Sequence, residues 1–541
     1  MNAIQGKSVQ PGIAVGPIRI HRRQEIPHTQ LSLLTPQEEL ARLRLAITQA
    51  KEQLEQLQET SSFRLGKELS AIFLVQTTLL EDPELKESVC ERILQGMTAE
   101  YAVAATGEDC AAMLEATGDS YMCARAADAR DVARRVCGIL SGQAGSSLSP
   151  TPGILMADDL CPSETIGLNS ASLLGLISCN GSSNSHSAIL ARAMGIPSLT
   201  GIKIDPDWDG KLAVLDGDTG ILYIDPDDQT LQHANHVQQQ REAHRRTLLA
   251  KAKEPCMTRD GHSIRLCANI ITPKEAAQAR EMGCQGIGLF RSEFLFLGRD
   301  TCPTEEEQFI AYQQTVLAMN GRPVIIRTLD VGADKQAPCL NQPQERNPAL
   351  GCRGIRHSLT HLNLFRQQLR AILRAAAYGP VSIMFPMVTS TVEVCLAKSL
   401  LDQCRQELKL QNIPYGELEI GTMIETPAAV IQAEELAHEV DFFSLGTNDL
   451  TQYTLAADRM NPNLEAVYNP RHPALLRQIR HTVEVGHKHG CWVGLCGELA
   501  ADPSMTQWLL EVGLDELSVS PGALLTIRDR ICSTTLPQPV R

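Results

Sequence analysis

The chain has 541 residues, with 49 Lys and Arg against 63 Asp and Glu for a formal net charge of −14. Its 43% hydrophobic and 21% charged residues exclude disorder or a fibrous repeat as the main state, and the length calls for roughly two to four domains. The acidic balance disfavours nonspecific binding to nucleic acid or anionic membranes and suits a basic protein partner. No run reaches the roughly 18 apolar residues of a membrane helix. The turn Pro11-Gly12 also breaks the stretch where a signal peptide would sit, so the chain is expected to be soluble and cytoplasmic. Seventeen cysteines without a C-x-x-C pair read as buried small hydrophobes in a reducing compartment.

In chain order, Ile13–Ile20 has strand character. From Leu31 to Leu140 the pattern is helical. Thr35-Pro36-Gln37-Glu38 is a capping box with Pro at the first helical position, followed by Leu40, Leu43, Ile47, Ala50, Leu54 and Leu57 at spacings of three and four. Leu69 to Leu80 continues that pattern until Asp82-Pro83, and two further helices fit near Thr98–Glu115 and Tyr121–Leu140. Short apolar runs then alternate with Gly, Pro, Ser and Asn: Gly153–Met156, Leu173–Ile177, Leu212–Leu215 and Gly220–Ile224. They read as a compact α/β unit, which Ile13–Ile20 joins if the helices are an insertion. Gln229–Lys253, polar and free of Gly and Pro, reads as a linker helix.

Beyond Cys256 eight strands are predicted: Ile264–Ile270, Gly286–Phe290, Val324–Thr328, Val381–Phe385, Glu419–Ile424, Asp441–Leu445, Trp492–Leu495 and Leu517–Ser520. Eight strands with intervening helices in about 285 residues are what a TIM (β/α)8 barrel requires. In that fold the active site forms where strands end, and these ends are polar: Arg291 and Glu293, Asp330 and Lys335, Glu425, Asn448 and Asp449, and Cys496. Arg291, Arg327, Lys335, Arg353, Arg356 and Arg459 would gather cations at one mouth, where guanidinium forks match a phosphorylated acid. Glu425 and Asp449 can share Mg²⁺ with substrate oxygens. Solvated loops or ion pairs with the arginines are the other reading of those carboxylates. Cys496 can move a proton near neutral pH or simply pack.

A second chemical signal is Gly181-Ser182-Ser183-Asn184-Ser185-His186 leading into an amphipathic run. Small polar residues opening a helix place His186 where free N–H groups stabilise an added phosphate. A covalent phosphoryl carrier fits there, as does a surface histidine.

The His186 stretch running to Gly201, Gly286-Ile287-Gly288-Leu289-Phe290-Arg291-Ser292-Glu293, Ser444-Leu445-Gly446-Thr447-Asn448-Asp449 and Leu495-Cys496-Gly497-Glu498 together resemble enzyme I of the bacterial phosphotransferase system, within the phosphoenolpyruvate-using enzymes. The order and spacing hold over nearly the whole chain. The resemblance implies an α/β multidomain protein: a swivelling phosphohistidine domain (1–25 and 146–228), an inserted helical bundle that binds the carrier HPr (26–145), a linker helix (229–253) and a phosphoenolpyruvate-binding TIM barrel (254–541).

It further implies that phosphoenolpyruvate (PEP) phosphorylates His186, which passes the group to a histidine of an HPr-like carrier in the first step of sugar uptake. Arg291, Arg327, Arg459 and Asn448 match the PEP-holding positions, with Lys335 and Arg353 in support. Glu425 and Asp449 match Mg²⁺ ligands, and Cys496 matches the acid that protonates the enolate. A homodimer through the barrel is expected.

Three departures stand out. The family's Gly-Gly-x-Thr-Ser-His reads Gly181-Ser182-Ser183-Asn184-Ser185-His186 here, its Ile-Phe-Glu-Gly-His reads Ile72-Phe73-Leu74-Val75-Gln76, and little chain follows the eighth strand. The alternatives are a weakened regulatory paralogue or a fragment of a pyruvate phosphate dikinase or PEP synthase. Those two enzymes need an ATP-binding domain, for which no room exists upstream of the helical block.

Overall fold

Alternate residues Ala14, Gly16 and Ile18 of strand β3 (Ile13–Ile20) are buried, the period-two signature of a strand with one face on a core. The computed structural model describes residues 2–21, 31–64, 76–116, 120–142, 152–158, 172–179, 191, 195–297, 299, 301–332, 337–343, 345–459, 461, 464 and 466–536. It divides into two units, Met1–Ala243 and His244–Arg541, and the polar helix Asp228–Ala250 runs across that division.

In the first unit β3 sits in an eight-stranded mixed sheet. The other strands are β1 (Asn2–Gln5), β2 (Lys7–Gln10), β4 (Gly153–Ala157), β5 (Leu173–Ser178), β6 (Ser198–Thr200), β7 (Leu212–Asp216) and β8 (Ile221–Ile224). The order is β1-β8-β7-β3-β4-β5-β6-β2. Strand β3 pairs in parallel with β4, which needs a crossover, and the whole helical block occupies that connection. The parallel strands β4 and β5 read as near-continuous apolar runs because they are covered on both faces.

The helical block begins as its cap predicts. The Thr35 N–H donates to Glu38 Oε2 at 2.8 Å, the Glu38 N–H donates back to Thr35 Oγ1 at 3.4 Å, and helix Pro36–Arg64 follows. Leu43, Ala50 and Leu54 of the predicted seam are buried with Leu80, Ile93, Val103 and Val136, and Leu40 and Ile47 pack against them. The Asp82-Pro83 break also starts a helix, Pro83–Leu94, whose first N–H groups at Glu84 and Leu85 donate to Asp82 Oδ1. Helices Ala99–Ala116 and Ser120–Leu140 complete the block.

The second unit is a closed parallel barrel of β9 (Arg265–Ile270), β10 (Ile287–Arg291), β11 (Val324–Arg327), β12 (Val381–Phe385), β13 (Leu418–Ile424), β14 (Phe442–Gly446), β15 (Trp492–Cys496) and β16 (Glu516–Val519). Each pairs with its successor, and β16 closes on β9. All eight predicted strands are present, and a ten-residue helix, Leu524–Ser533, follows the last. The main core lies between strands and helices, where Leu475, Ile479 and Val483 of helix Pro473–Lys488 face inward at spacing four.

The interior is filled too. Leu289, Ile325, Met384, Met423, Phe442 and Cys496 form one cluster with Trp492 against it. At the N-terminal ends of the strands the Trp492 ring stacks on Phe442 at 4.4 Å, and the Arg265 guanidinium lies 4.0 Å over Trp492. These groups floor the barrel.

Candidate active site at the barrel mouth

At the opposite, C-terminal end of the strands lies a cavity of about 90 Å³ lined by Arg291, Arg327, Arg353 and Arg459, by Glu293, Asp330, Glu425 and Asp449, and by Asn448 and Cys496. The fold thus brings together eight of the ten residues to which the resemblance gives a role. The other two, His186 and Lys335, lie outside the described residues. Arg356 does not line the cavity; its Nη1 donates instead to the carbonyls of Leu350 and Gly351.

The charges interlock. Arg327 is the last residue of β11; its Nη2 donates to Glu293 Oε1 at 2.6 Å, and its Nη1 lies 3.4 Å from Asp330 Oδ2. Arg353 grips Asp330 with two hydrogen bonds, Nε to Oδ1 at 3.0 Å and Nη2 to Oδ2 at 2.8 Å. Its Nη1 reaches Asp449 Oδ1 at 3.5 Å and the Tyr453 hydroxyl at 3.4 Å. Burial lowers both guanidiniums' proton affinity. For Arg327 the charges of Glu293, Asp330 and Glu425 outweigh that effect, and for Arg353 those of Asp330, Asp449 and Glu425 do, so both shift upward and stay charged. Arg459 is exposed at the rim, its backbone N–H donating to Gln452 Oε1.

Glu425 follows β13 and is 1% exposed. Its Oε1 accepts the Met387 N–H at 2.6 Å. Met387 holds the left-handed conformation, φ 59°, which is uncommon for a side chain that is not glycine. Burial first, then the charges of Asp449 and Asp330, push the Glu425 carboxyl up to about 8 against the pull of Arg327 and Arg353. Asp449 lies in the first turn of helix Thr447–Leu455, where free N–H groups favour a carboxylate.

Glycine is required beside these groups. A Cβ on Gly446 would stand 2.8 Å from Glu425 Oε2, filling the space a ligand of that oxygen needs. Gly497, at φ +124°, leaves room for Asn448, whose Oδ1 accepts the Glu498 N–H. The donor set therefore suits a hard divalent cation such as Mg²⁺. Two carboxylates beside a glycine-lined gap would supply part of its shell, leaving the other positions to water or the oxygens of a bound ligand.

Cys496, the last residue of β15, is 4% exposed. The Ser444 hydroxyl donates to its sulfur, and the thiol donates to the Leu445 carbonyl, both at 3.6 Å. Burial pushes the thiol up to about 11, against the hydrogen bond from Ser444 and the charge of Arg327. It is a protonated acid throughout the neutral range. Cys491, five residues earlier, donates to the carbonyls of Ala437 and Val440 and faces away from the cavity.

Sequence reading noted Glu293 and Asp330 as polar strand ends without a role; they are the counter-charges that hold Arg327 and Arg353 in place. An arginine at one strand end with an acid within three residues was the available signal. Met387 and Tyr453 carried no signal.

The chain matches the family described as PEP-utilising enzyme, PEP-binding domain, over residues 245–536, its N-terminal domain over 5–125 and its mobile domain over 149–220. It is 40% identical over 534 residues to the phosphoenolpyruvate-protein phosphotransferase of Geobacillus stearothermophilus, covering 98% of this chain and 92% of that protein. Identity to the protein of that name in Bacillus subtilis is 39% over 543 residues, 98% of this chain and 94% of the relative. A multiphosphoryl transfer protein of Xanthomonas campestris is 41% identical over 540 residues, 98% of this chain but 63% of that longer protein. Among the described residues no helix is long and apolar enough to cross a membrane.

Proposed function

The chain belongs to the PEP-utilising enzyme family, among its phosphoenolpyruvate-protein phosphotransferases, and on that premise we propose that it moves the phosphoryl group of PEP through His186 to a histidine of an HPr-like carrier. The observation that carries this reading is the convergence of four arginines, two candidate metal-binding carboxylates and a protonated thiol in one cavity at the strand ends.

Arg291, Arg327 and Arg459 hold the phosphate and carboxylate of PEP, Asn448 orients it, and Arg353 and Lys335 support them. Glu425 and Asp449 hold Mg²⁺, which when bound offsets charge on the phosphate oxygens. His186 Nε2 forms the P–N bond as the P–O bond to the enol breaks. The enolate left behind takes the proton of Cys496 Sγ at its terminal carbon and becomes pyruvate. The thiolate is then reprotonated from solvent.

The acceptor histidine and the barrel lie in different stretches of the chain, so His186 must approach for one transfer and leave for the next, with Asp228–Ala250 as the hinge. The helical block recognises the carrier, and the acidic chain suits a basic one. Self-association through the barrel and a cytoplasmic location are part of this reading. The test is incubation with labelled PEP and Mg²⁺, with and without HPr-like proteins. Acid-labile label on the chain that chases onto the carrier supports the reading, and a chain that takes no label refutes it.

A further inference from the structure

Two loops leave the barrel mouth beside each other. The loop after β10 carries Glu293, the partner of Arg327, and the loop after β11 carries Asp330, the partner of Arg353. They are joined away from the cavity by a compact bracket. The Cys339 N–H donates to the Arg299 carbonyl at 3.0 Å, the Cys302 thiol donates to the Cys339 carbonyl at 3.1 Å, and the Cys339 thiol donates to the Phe296 carbonyl at 3.6 Å. The Cys302 thiol therefore lies directly against the main chain of Cys339. Both cysteines are free and half-buried, packed against the apolar cluster of Phe296, Leu329 and Val331.

We infer that Cys302 and Cys339 are a reversible oxidation site, forming a disulfide at the expense of a hydroperoxide and tying the β10 loop to the β11 loop. The geometry needs the sulfurs to close to about 2.05 Å, between residues already joined through the Cys302 thiol, the Cys339 carbonyl and the Cys339–Arg299 main-chain bond.

Burial, and then its neighbour's thiol, push Cys339 up to about 12, so Cys302 is the attacking group and Cys339 the resolving one. The Cys302 thiolate attacks one peroxide oxygen; the S–O bond forms as O–O breaks, and the departing hydroxide leaves as water with the proton that Cys302 lost. Cys339 Sγ then attacks the sulfenyl sulfur. The S–S bond forms, S–O breaks, and the second hydroxide leaves as water with the Cys339 proton. The thiols lose two electrons and the peroxide gains them.

The consequence for the mouth follows from what the loops carry. An anion entering the cavity competes with Glu293 and Asp330 for Arg327, and loops free to shift let those acids give way. A covalent tie restricts that shift. This functional half rests on the phosphotransferase reading; the linkage itself does not.

The test uses the full chain, reduced and freed of reductant, then treated with one equivalent of hydrogen peroxide, alkylated, digested and mapped by mass. The expected result is a Cys302–Cys339 linked peptide that thiol reductant reverses and that neither Cys302→Ser nor Cys339→Ser forms. Amide exchange across 292–304 and 328–343 should slow on oxidation in the wild-type chain only. Labelling by PEP should fall about fivefold or more in the oxidised wild-type chain and be unchanged in the two serine variants. Recovery of both cysteines as alkylated thiols or as sulfinic acids, or linkage of either one to a different cysteine, overturns the inference. Linkage without slower exchange overturns the tether. A reduced chain that takes no label at all counts against the phosphotransferase reading, and the mass and exchange measurements then still decide the linkage and the tether.

Discussion

Arg353 and Asp330 form a two-pronged ion pair, with Nε to Oδ1 at 3.0 Å and Nη2 to Oδ2 at 2.8 Å, both side chains almost wholly buried. The same carboxylate also faces Arg327, so one acid is shared by two buried cations alongside Glu293 and Asp449. Asp330→Ala is expected to lower the stability of the barrel unit by about 3 kcal/mol, because it removes the two-pronged partner of a buried guanidinium. Asp330→Asn should recover part of that loss through retained hydrogen bonds. Urea unfolding followed by tryptophan fluorescence checks it; equal midpoints for wild type and both variants would show the pair to be dispensable.

His186→Ala should abolish acid-labile labelling by PEP while PEP binding to the barrel, measured by calorimetry, is retained. On the proposed reading the histidine contributes the acceptor nitrogen and none of the charges that hold the substrate. Label persisting on the variant would move the acceptor elsewhere, with His262 and His472 first in line.

Glu425→Ala and Asp449→Ala should each cut Mg²⁺-dependent labelling by a factor of about 100 or more, since either change leaves one carboxylate where a divalent cation takes two. Gly446→Ala should act the same way without touching a charge, because its methyl would lie 2.8 Å from Glu425 Oε2. Labelling at low Mg²⁺ that matches wild type in the carboxylate variants would refute the shared-cation assignment. Arg291→Ala should chiefly raise the PEP concentration required.

Cys496→Ser keeps size but replaces a thiol at about 11 with a hydroxyl several units weaker as an acid. Labelling of His186 should survive in a single half-reaction while stereospecific protonation at carbon slows severely. Cys491→Ala, whose thiol bonds only main-chain carbonyls of Ala437 and Val440, should lower stability and spare the chemistry. Normal stereospecific pyruvate from the serine variant would leave Cys496 as packing.

His357 is 1% exposed, stacks on His361 at 4.1 Å, and neither of its ring nitrogens has a hydrogen-bond partner. Burial, then the charge of His361, pull it down to about 4 from an ordinary 6.5. The unfolded chain therefore binds the extra proton first. Stability is full above pH 6.5 and falls as pH drops from there toward 4, by up to about 3 kcal/mol. His357→Leu should flatten that interval in urea titrations at successive pH values; identical pH profiles for the two proteins would assign the acid sensitivity to other groups.

The barrel was legible because each of its strands is a short apolar run bounded by turn residues, and because strand ends of a parallel barrel converge whatever their spacing in the chain. Arg291, Arg327, Glu425 and Cys496 could thus be gathered from separate motifs before any coordinates. The acid partners were not assigned, since which carboxylate meets which guanidinium depends on loop paths that no local pattern encodes. Strands β1 and β2 escaped notice for a related reason. Asn2–Gln5 and Lys7–Gln10 are polar, and β1 is an edge whose pairing with β8, more than 200 residues away, supplies what its own residues do not. Helix Pro83–Leu94 lies outside the expected elements because Asp82-Pro83 reads as a stop after Leu80, although the same dipeptide is a start signal.

The stacked Trp492, Phe442 and Arg265 floor the far end of a barrel whose interior is packed with side chains, so the cavity is a cup entered from the strand ends. On the proposed reading, donor in, spent acid out and the incoming imidazole would all share that threshold, which makes turnover a matter of traffic: groups that use one entrance have to take turns.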